Sequence, residues 1–262
     1  MSPDTAFRLV GVLHLPPLPG AVNYEGRSVR GIAEAAAEDA AVLAAAGFTH
    51  VMVQDASDNP QPTLAATGTV ASLAVVGARV AQAVDIPLGV VIGHNDGPAA
   101  VAVAHAIGAR FVRVKILTGV SAGPSGLIQG CAVEVAAMKR LLGSDVEVWA
   151  DAHEATSVAL AGDLEWAAAE ALSFGGADTI VVTKDSGVDD ALTAIAALRE
   201  RFASVPFVVG GRATVATMPQ TVLGSDGVIV GSALKTGSDH DARVDPQTAR
   251  AFGATITRKV TA

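Results

Sequence analysis

Short runs of β-branched and aliphatic residues alternate along the chain with long alanine-rich stretches whose apolar positions recur at helical spacing. The short runs cover 8–15, 50–55, 88–93, 110–117, 147–152, 179–184, 207–212 and 227–234. Between them lie helix-like segments near 28–46, 66–84, 98–107, 125–142, 158–174, 189–202 and 214–223, and a last one follows Pro246. Strands separated by helix-length segments predict parallel pairing through right-handed crossovers. Eight such units in 262 residues predict an α/β fold, a single-domain (β/α)8 TIM barrel over 1–262. The sequences AAGF, AIGA and FGGA read as glycine-ended helices turning into the next strand. The competing architecture is an open doubly wound sheet, which usually carries a glycine-rich dinucleotide turn after its first strand. Here the first run enters LPPLPG at 15–20, whose prolines have no N–H to offer a phosphate.

Composition narrows the chemistry. Half of the chain is hydrophobic but only 4% is aromatic, so the core is built mainly from alanine and valine in close helix–sheet contact. Cys131 is the single cysteine, which excludes an internal disulfide and a cysteine-rich zinc module, and its helix-like surroundings predict a core position. The net charge of −8 argues against a nucleic-acid polymer as partner, since no basic surplus is present to neutralise phosphates. A small anion needs only local donors. The first residues, Met1 to Val12, lack the layout of a signal peptide, and no apolar run reaches the roughly 20 residues of a spanning helix. The expectation is a cytoplasmic protein without a membrane partner, and alanine-rich helices make a homo-oligomer plausible.

In a barrel the functional groups sit where strands end. Those ends read His14, Gln54–Asp55, Asn95–Asp96, Lys115, Asp151 with His153, Lys184, Gly210–Gly211–Arg212 and Gly231–Ser232. The glycine turns of VVGGRAT and IVGSALK fall in the seventh and eighth strand units, where barrels often bind phosphate through backbone N–H groups. Arg212 and Lys235 can add charge there; the plainer reading is a pair of tight turns. Strand alternation puts Glu147, Trp149, Asp151 and His153 on one face and Phe111, Arg113 and Lys115 on another. If both faces look inward, Arg113 neutralises Glu147 at depth, with Lys115 and Asp151 above. Asp151 is then a general base or a binder of ligand hydroxyls. A structural Lys115–Asp151 ion pair is the alternative.

Lys184, ending the sixth strand, can form a Schiff base with a carbonyl if desolvated, or else bind phosphate or stay exposed. Asp55, Asp58, Asn95 and Asp96 offer oxygen ligands for Mg²⁺, though Asp and Asn also begin helices and turns. No cofactor is otherwise indicated. His14 reads equally as a ligand contact, a proton shuttle or a structural group. His94, His105 and His240 lack metal-ligand spacing.

The stretches VGVLHLPPLPG at 10–20, IGHNDGPAAVAVAHAIGARFVRVKILTG at 92–119, VEVWADAH at 146–153 and DGVIVGSALK at 226–235 together resemble the BtpA/SgcQ family. The resemblance runs from Val10 to Phe252. It implies a ribulose-phosphate-binding type of TIM barrel. The family is named partly for a photosystem I biogenesis factor, with other members among sugar-metabolism proteins. Its pattern is matched at His14, Asp58, Asn95, Asp96, Asp151, His153, Gly210, Gly231 and Ser232. The chain departs from it at Gln54-Asp55, where the family usually has Glu-Asn, and at Lys115, where it commonly has Asn. It departs again at Ala155-Thr156, in place of a usual lysine–histidine pair, and at Lys184, in place of glycine.

The leading expectation is therefore an enzyme acting on a phosphorylated sugar or nucleotide-like metabolite. Glycosidic or carbon–carbon bond formation or cleavage and isomerisation all fit. Asp151 would act as acid/base with His153 or His14, and Lys115 and Lys184 would stabilise negative charge. A Schiff-base aldolase using Lys184 and a non-enzymatic assembly or regulatory factor are the rivals.

Overall fold

In the computed structural model, which describes residues 7–237, 239 and 241–257, each of the eight apolar runs forms a strand. Residues 1–6 and His240 lie outside the described residues. The chain runs β1 (Arg8–His14), α1 (Val29–Ala45), β2 (His50–Gln54), α2 (Thr67–Ala81), β3 (Leu88–Val91), α3 (Gly97–Ile107) and β4 (Phe111–Val114). It continues through β5 (Val120–Gly123), β6 (Gly126–Gln129), α4 (Ala132–Leu142), β7 (Glu147–Asp151), β8 (Val158–Ala159) and α5 (Leu164–Ser173). Then come β9 (Thr179–Val182), α6 (Val188–Arg201), β10 (Phe207–Val209), α7 (Met218–Gly224), β11 (Gly227–Val230), a 3-10 turn (Ser232–Leu234) and α8 (Pro246–Thr257). Parallel pairing in the order β1-β11-β10-β9-β7-β4-β3-β2 closes the barrel, with β1 bonded to both β2 and β11. This is the TIM barrel that the strand–helix alternation predicts.

Two apolar layers hold it. Inside the barrel, Val10, Val12, Met52, Val91, Phe111, Trp149, Val181, Val208 and Ile229 form one cluster. The Phe111 and Trp149 rings stack there with centroids 4.0 Å apart. Outside, Leu, Val and Ala side chains from the other strand faces pack against the helices. Small residues let those helices approach closely, which explains how a chain so poor in rings fills its core. His50 sits below the aromatic pair, and burial together with Arg8 pushes its imidazole down to about 4, so it is neutral near pH 7.

Two helix expectations need correction. The segment 125–142 is not one helix: an antiparallel hairpin, β5–β6, precedes α4. Gly123 and Gly126 face each other across Pro124–Ser125, and Gly126 takes φ +90°, so this is turn chemistry that ends helical periodicity. Likewise 158–174 opens with the short strand β8, which pairs with β5. The resulting three-stranded sheet, made from loops that follow β4 and β7, belongs to the rim at the carboxyl ends of the strands. Ser125 Oγ ties it to the carbonyl of Gln61 at 2.7 Å.

Candidate active site

The carboxyl ends of β2, β3, β4 and β7 bring together six ionisable side chains. Arg113 and Lys115 come from β4 and its end, Asp151 and Glu154 from β7 and its end, His94 follows β3 and Asp55 follows β2. Arg113 grips Asp151 with two bonds, Nε to Oδ1 at 2.8 Å and Nη2 to Oδ2 at 2.7 Å, and the Asp151 side chain has no exposed surface. Burial pushes the Asp151 carboxyl upward against the pull of the guanidinium. Burial likewise works against the Arg113 charge, yet Asp151 holds it above the usual arginine range. Two short parallel bonds are those of an ion pair.

This corrects the expected Arg113–Glu147 pairing and the alternative Lys115–Asp151 ion pair. Both strand faces do look inward, but Arg113 does not neutralise Glu147. Glu147 instead accepts the indole N–H of Trp149 at 3.0 Å. Phe111 and Glu147 share a register level, two residues below the level of Arg113 and Trp149, and the long arginine side chain reaches forward to the next carboxylate. Lys115 in turn does not pair with Asp151. Its Nζ lies 4.0 Å from Glu154 Oε1, beyond hydrogen-bond reach, and its side chain is 10% exposed. Burial, reinforced by Arg113, pushes the Lys115 ammonium below the ordinary lysine range, while Glu154 opposes the shift.

Strand alternation stops at Asp151 and so carries no signal for Glu154; the chain turns there, and 154, not only 153, swings inward. Thr156 holds it, donating from its backbone N at 2.8 Å and from Oγ1 to the carboxylate. His94 Nε2 stands 3.9 Å from Glu154 Oε2. Burial pushes His94 down, Lys115 adds to this, and Glu154 pulls the other way. Asp55 is almost fully buried, and both its oxygens accept the Gly93 N–H at 3.0 and 2.8 Å. Burial still raises its carboxyl to about 6, with the Asp58 charge adding to the rise.

Other predicted residues serve the scaffold. Asn95 bonds the Ile116 carbonyl and N–H at 2.8 and 2.9 Å and the Gln129 carbonyl at 3.1 Å, fixing the end of β4 and the hairpin. Asp96 caps α3 through Ala99 N at 3.1 Å and takes Ala65 N at 3.0 Å. Asp58 accepts Leu18 N at 3.1 Å and so pins the LPPLPG loop. Each of these side chains thus has backbone donors or acceptors within the scaffold. Among the described residues no cluster of three or more His, Cys, Asp or Glu can hold a metal. Cys131 is buried beside Gly97 and Asn95, and burial pushes its thiol up to about 11.

Across the mouth, Lys184 is half-buried just beyond β9, next to the Gly210–Gly211 turn after β10. A side chain on Gly210 would collide with Thr183 Oγ1, and one on Gly231 would meet the His14 ring at 2.8 Å, so both glycines let a neighbour reach the mouth. Gly231 leads into the 3-10 turn that carries Ser232. Arg212, by contrast, is exposed and paired with Asp185 at 2.7 Å, turned toward solvent. Burial pushes the Lys235 ammonium down, while the nearby Asp39 and Asp241 carboxylates oppose the shift. Gln54 ends β2 beside His14, half-buried. His153 Nε2, His94 Nε2 and Thr183 Oγ1 are buried without a hydrogen-bond partner. Burial, with Lys184 adding to it, pushes His153 down.

No helix among the described residues is long and apolar enough to cross a membrane. Among solved structures, the chain resembles the N-acetylmannosamine-6-phosphate 2-epimerase of Clostridium perfringens, at 16% identity and TM-score 0.55 over 98% of this chain and 94% of that one. At that identity the likeness is one of fold. Among sequences, an uncharacterised Thermococcus kodakarensis protein, TK2179, is 38% identical over 90% of this chain and 88% of its own length. The photosystem I biogenesis protein BtpA of Synechocystis is 31% identical over 93% of this chain and 86% of its own. The BtpA family profile matches residues 5–258, and with relatives this close over nearly the full length, the chain belongs to the BtpA family.

Proposed function

We propose that this barrel is an enzyme acting on a small phosphorylated sugar-like metabolite, catalysing an isomerisation or the making or breaking of a carbon–carbon or glycosidic bond. The observation that carries the reading is a set of buried polar atoms without hydrogen-bond partners just past the carboxyl ends of barrel strands: His94 Nε2 after β3, His153 Nε2 after β7 and Thr183 Oγ1 after β9. Buried polar atoms in native proteins are nearly always satisfied, so several of them at the same end of the barrel favour a polar ligand there. Its phosphate rests on the backbone of Gly210, Gly211, Gly231 and Ser232, with Lys184 as the neighbouring cation. The sugar portion meets Lys115, Glu154, His94 and His153. Asp151, held at both oxygens by Arg113, anchors that cation, and Glu154 takes over the proton work first expected of Asp151. The 6-phosphate substrate named for the Clostridium epimerase supports the ligand class by analogy of fold.

Calorimetry tests the binding half. Lys184→Met should weaken inorganic phosphate and sugar phosphates by about 10- to 100-fold, the range for losing one charge-assisted hydrogen bond. An unchanged affinity would sink the phosphate assignment. A second reading, an assembly factor that keeps the pocket only for binding, is favoured by the name of the Synechocystis relative. It requires that Glu154→Gln leave biological activity intact, whereas the enzyme reading requires its loss.

A further inference from the structure

Lys115 is a nucleophile: we infer that its amine forms a covalent Schiff base with the carbonyl carbon of a phosphorylated ketose. The inference rests on the sugar-phosphate reading above and adds the reacting group and the open-chain keto form of the substrate. Three features of the geometry single out this lysine. Its side chain is nearly buried, and the closest carboxylate oxygen, Glu154 Oε1, stands 4.0 Å away, so no hydrogen bond locks the amine as an ammonium. It lines one recess with Asp151, His153, Glu154 and Trp166, under the rim sheet that contributes Val120, Ser121 and Ala159. It also stands just past the end of β4, two residues beyond the Arg113 guanidinium, which with burial disfavours a second positive charge. The direction of its titration, below an ordinary lysine, agrees. Lys184 lacks such an enclosure; it is half-buried beside the glycine turns, where a phosphate cation belongs.

The step closes on its own atoms. Rotation of the flexible Lys115 side chain closes the 4.0 Å gap to Glu154 Oε1, the ammonium gives that carboxylate one proton, and the free Nζ lone pair attacks the carbonyl carbon. The carbonyl π electrons move to oxygen, which takes a second proton from nitrogen. Glu154 then returns its proton to that hydroxyl, the C–O bond breaks, and water leaves as nitrogen forms the C=N bond. Ammonium plus ketone thus give iminium plus water, with no oxidant, reductant or outside acid. Thr156 keeps the Glu154 carboxylate aimed, and His94 Nε2 stands 3.9 Å from its Oε2.

Trapping decides the matter. The full-length protein is incubated with dihydroxyacetone phosphate, ribulose 5-phosphate or fructose 6-phosphate and cyanoborohydride, digested, and mapped by tandem mass spectrometry. Melting temperatures are measured with the same compounds. One adduct per chain at Lys115 is expected, absent from Lys115→Met and formed at least tenfold more slowly in Glu154→Gln. Mapping on the unaltered protein needs no variant to fold. Adducts at Lys184 or scattered over several lysines overturn the assignment. A ketose phosphate that raises the melting temperature without being trapped overturns it too, yet leaves the sugar-phosphate reading standing. If none of the three compounds binds or is trapped, both fall together.

Discussion

Asp55 shows how one buried side chain sets a pH dependence. Its carboxyl, raised to about 6 by burial despite two bonds from the Gly93 N–H, holds a proton that the unfolded chain releases near the ordinary 3.8. Between those values the native state carries the extra proton, so stability falls as pH rises through that window. Denaturant unfolding at pH 4.5 and 7 should show a smaller decline for Asp55→Asn than for the parent; parallel declines would refute the assignment. The Arg113–Asp151 pair works through completeness instead. Asp151→Ala strands a buried guanidinium and should cost about 3–5 kcal/mol in unfolding free energy, far more than removing an exposed pair such as Arg212–Asp185. Equal losses in the two variants would show the buried pair to be unimportant. Which residues line the inner face was legible from alternation in 111–115 and 147–151. Which charge meets which was not, because side-chain reach across a staggered parallel register decides it.

At the scale of elements, helices with clear end signals were predictable. Ser28 begins α1, Asp96 and Pro98 begin α3, and Gly108 ends α3 with a positive φ. The rim sheet was not predictable. Its strands are two to four residues long, too short for a period to register, and β8 pairs with β5 across more than thirty residues of sequence. The hairpin depends on Gly126, whose φ of +90° a branched residue adopts only under strain. Gly126→Val should loosen this rim locally by about 1–2 kcal/mol, which is about 5- to 30-fold in amide exchange over 120–129. Exchange in the barrel strands should stay unchanged. Protection lost throughout the molecule would mean that the hairpin is part of the folding core.

For the whole molecule, closure of β1 onto β11 encloses Trp149 completely, whereas Trp166 is 40% exposed beside the rim. In Trp166→Phe, emission from Trp149 should resist acrylamide until cooperative unfolding, then become quenchable in one step. Quenching of Trp149 in the native state would contradict a closed barrel. The sequence by itself determined the eight strand–helix units, the parallel barrel and the cluster of polar residues at one end, because periodicity and turn chemistry are local properties of the chain. Only the tertiary structure decided that Asp151 belongs to Arg113, that Glu154 and His94 flank Lys115, and that Asn95 and Asp96 serve the scaffold. Those outcomes depend on distances between residues far apart in sequence, and on burial that no single strand controls.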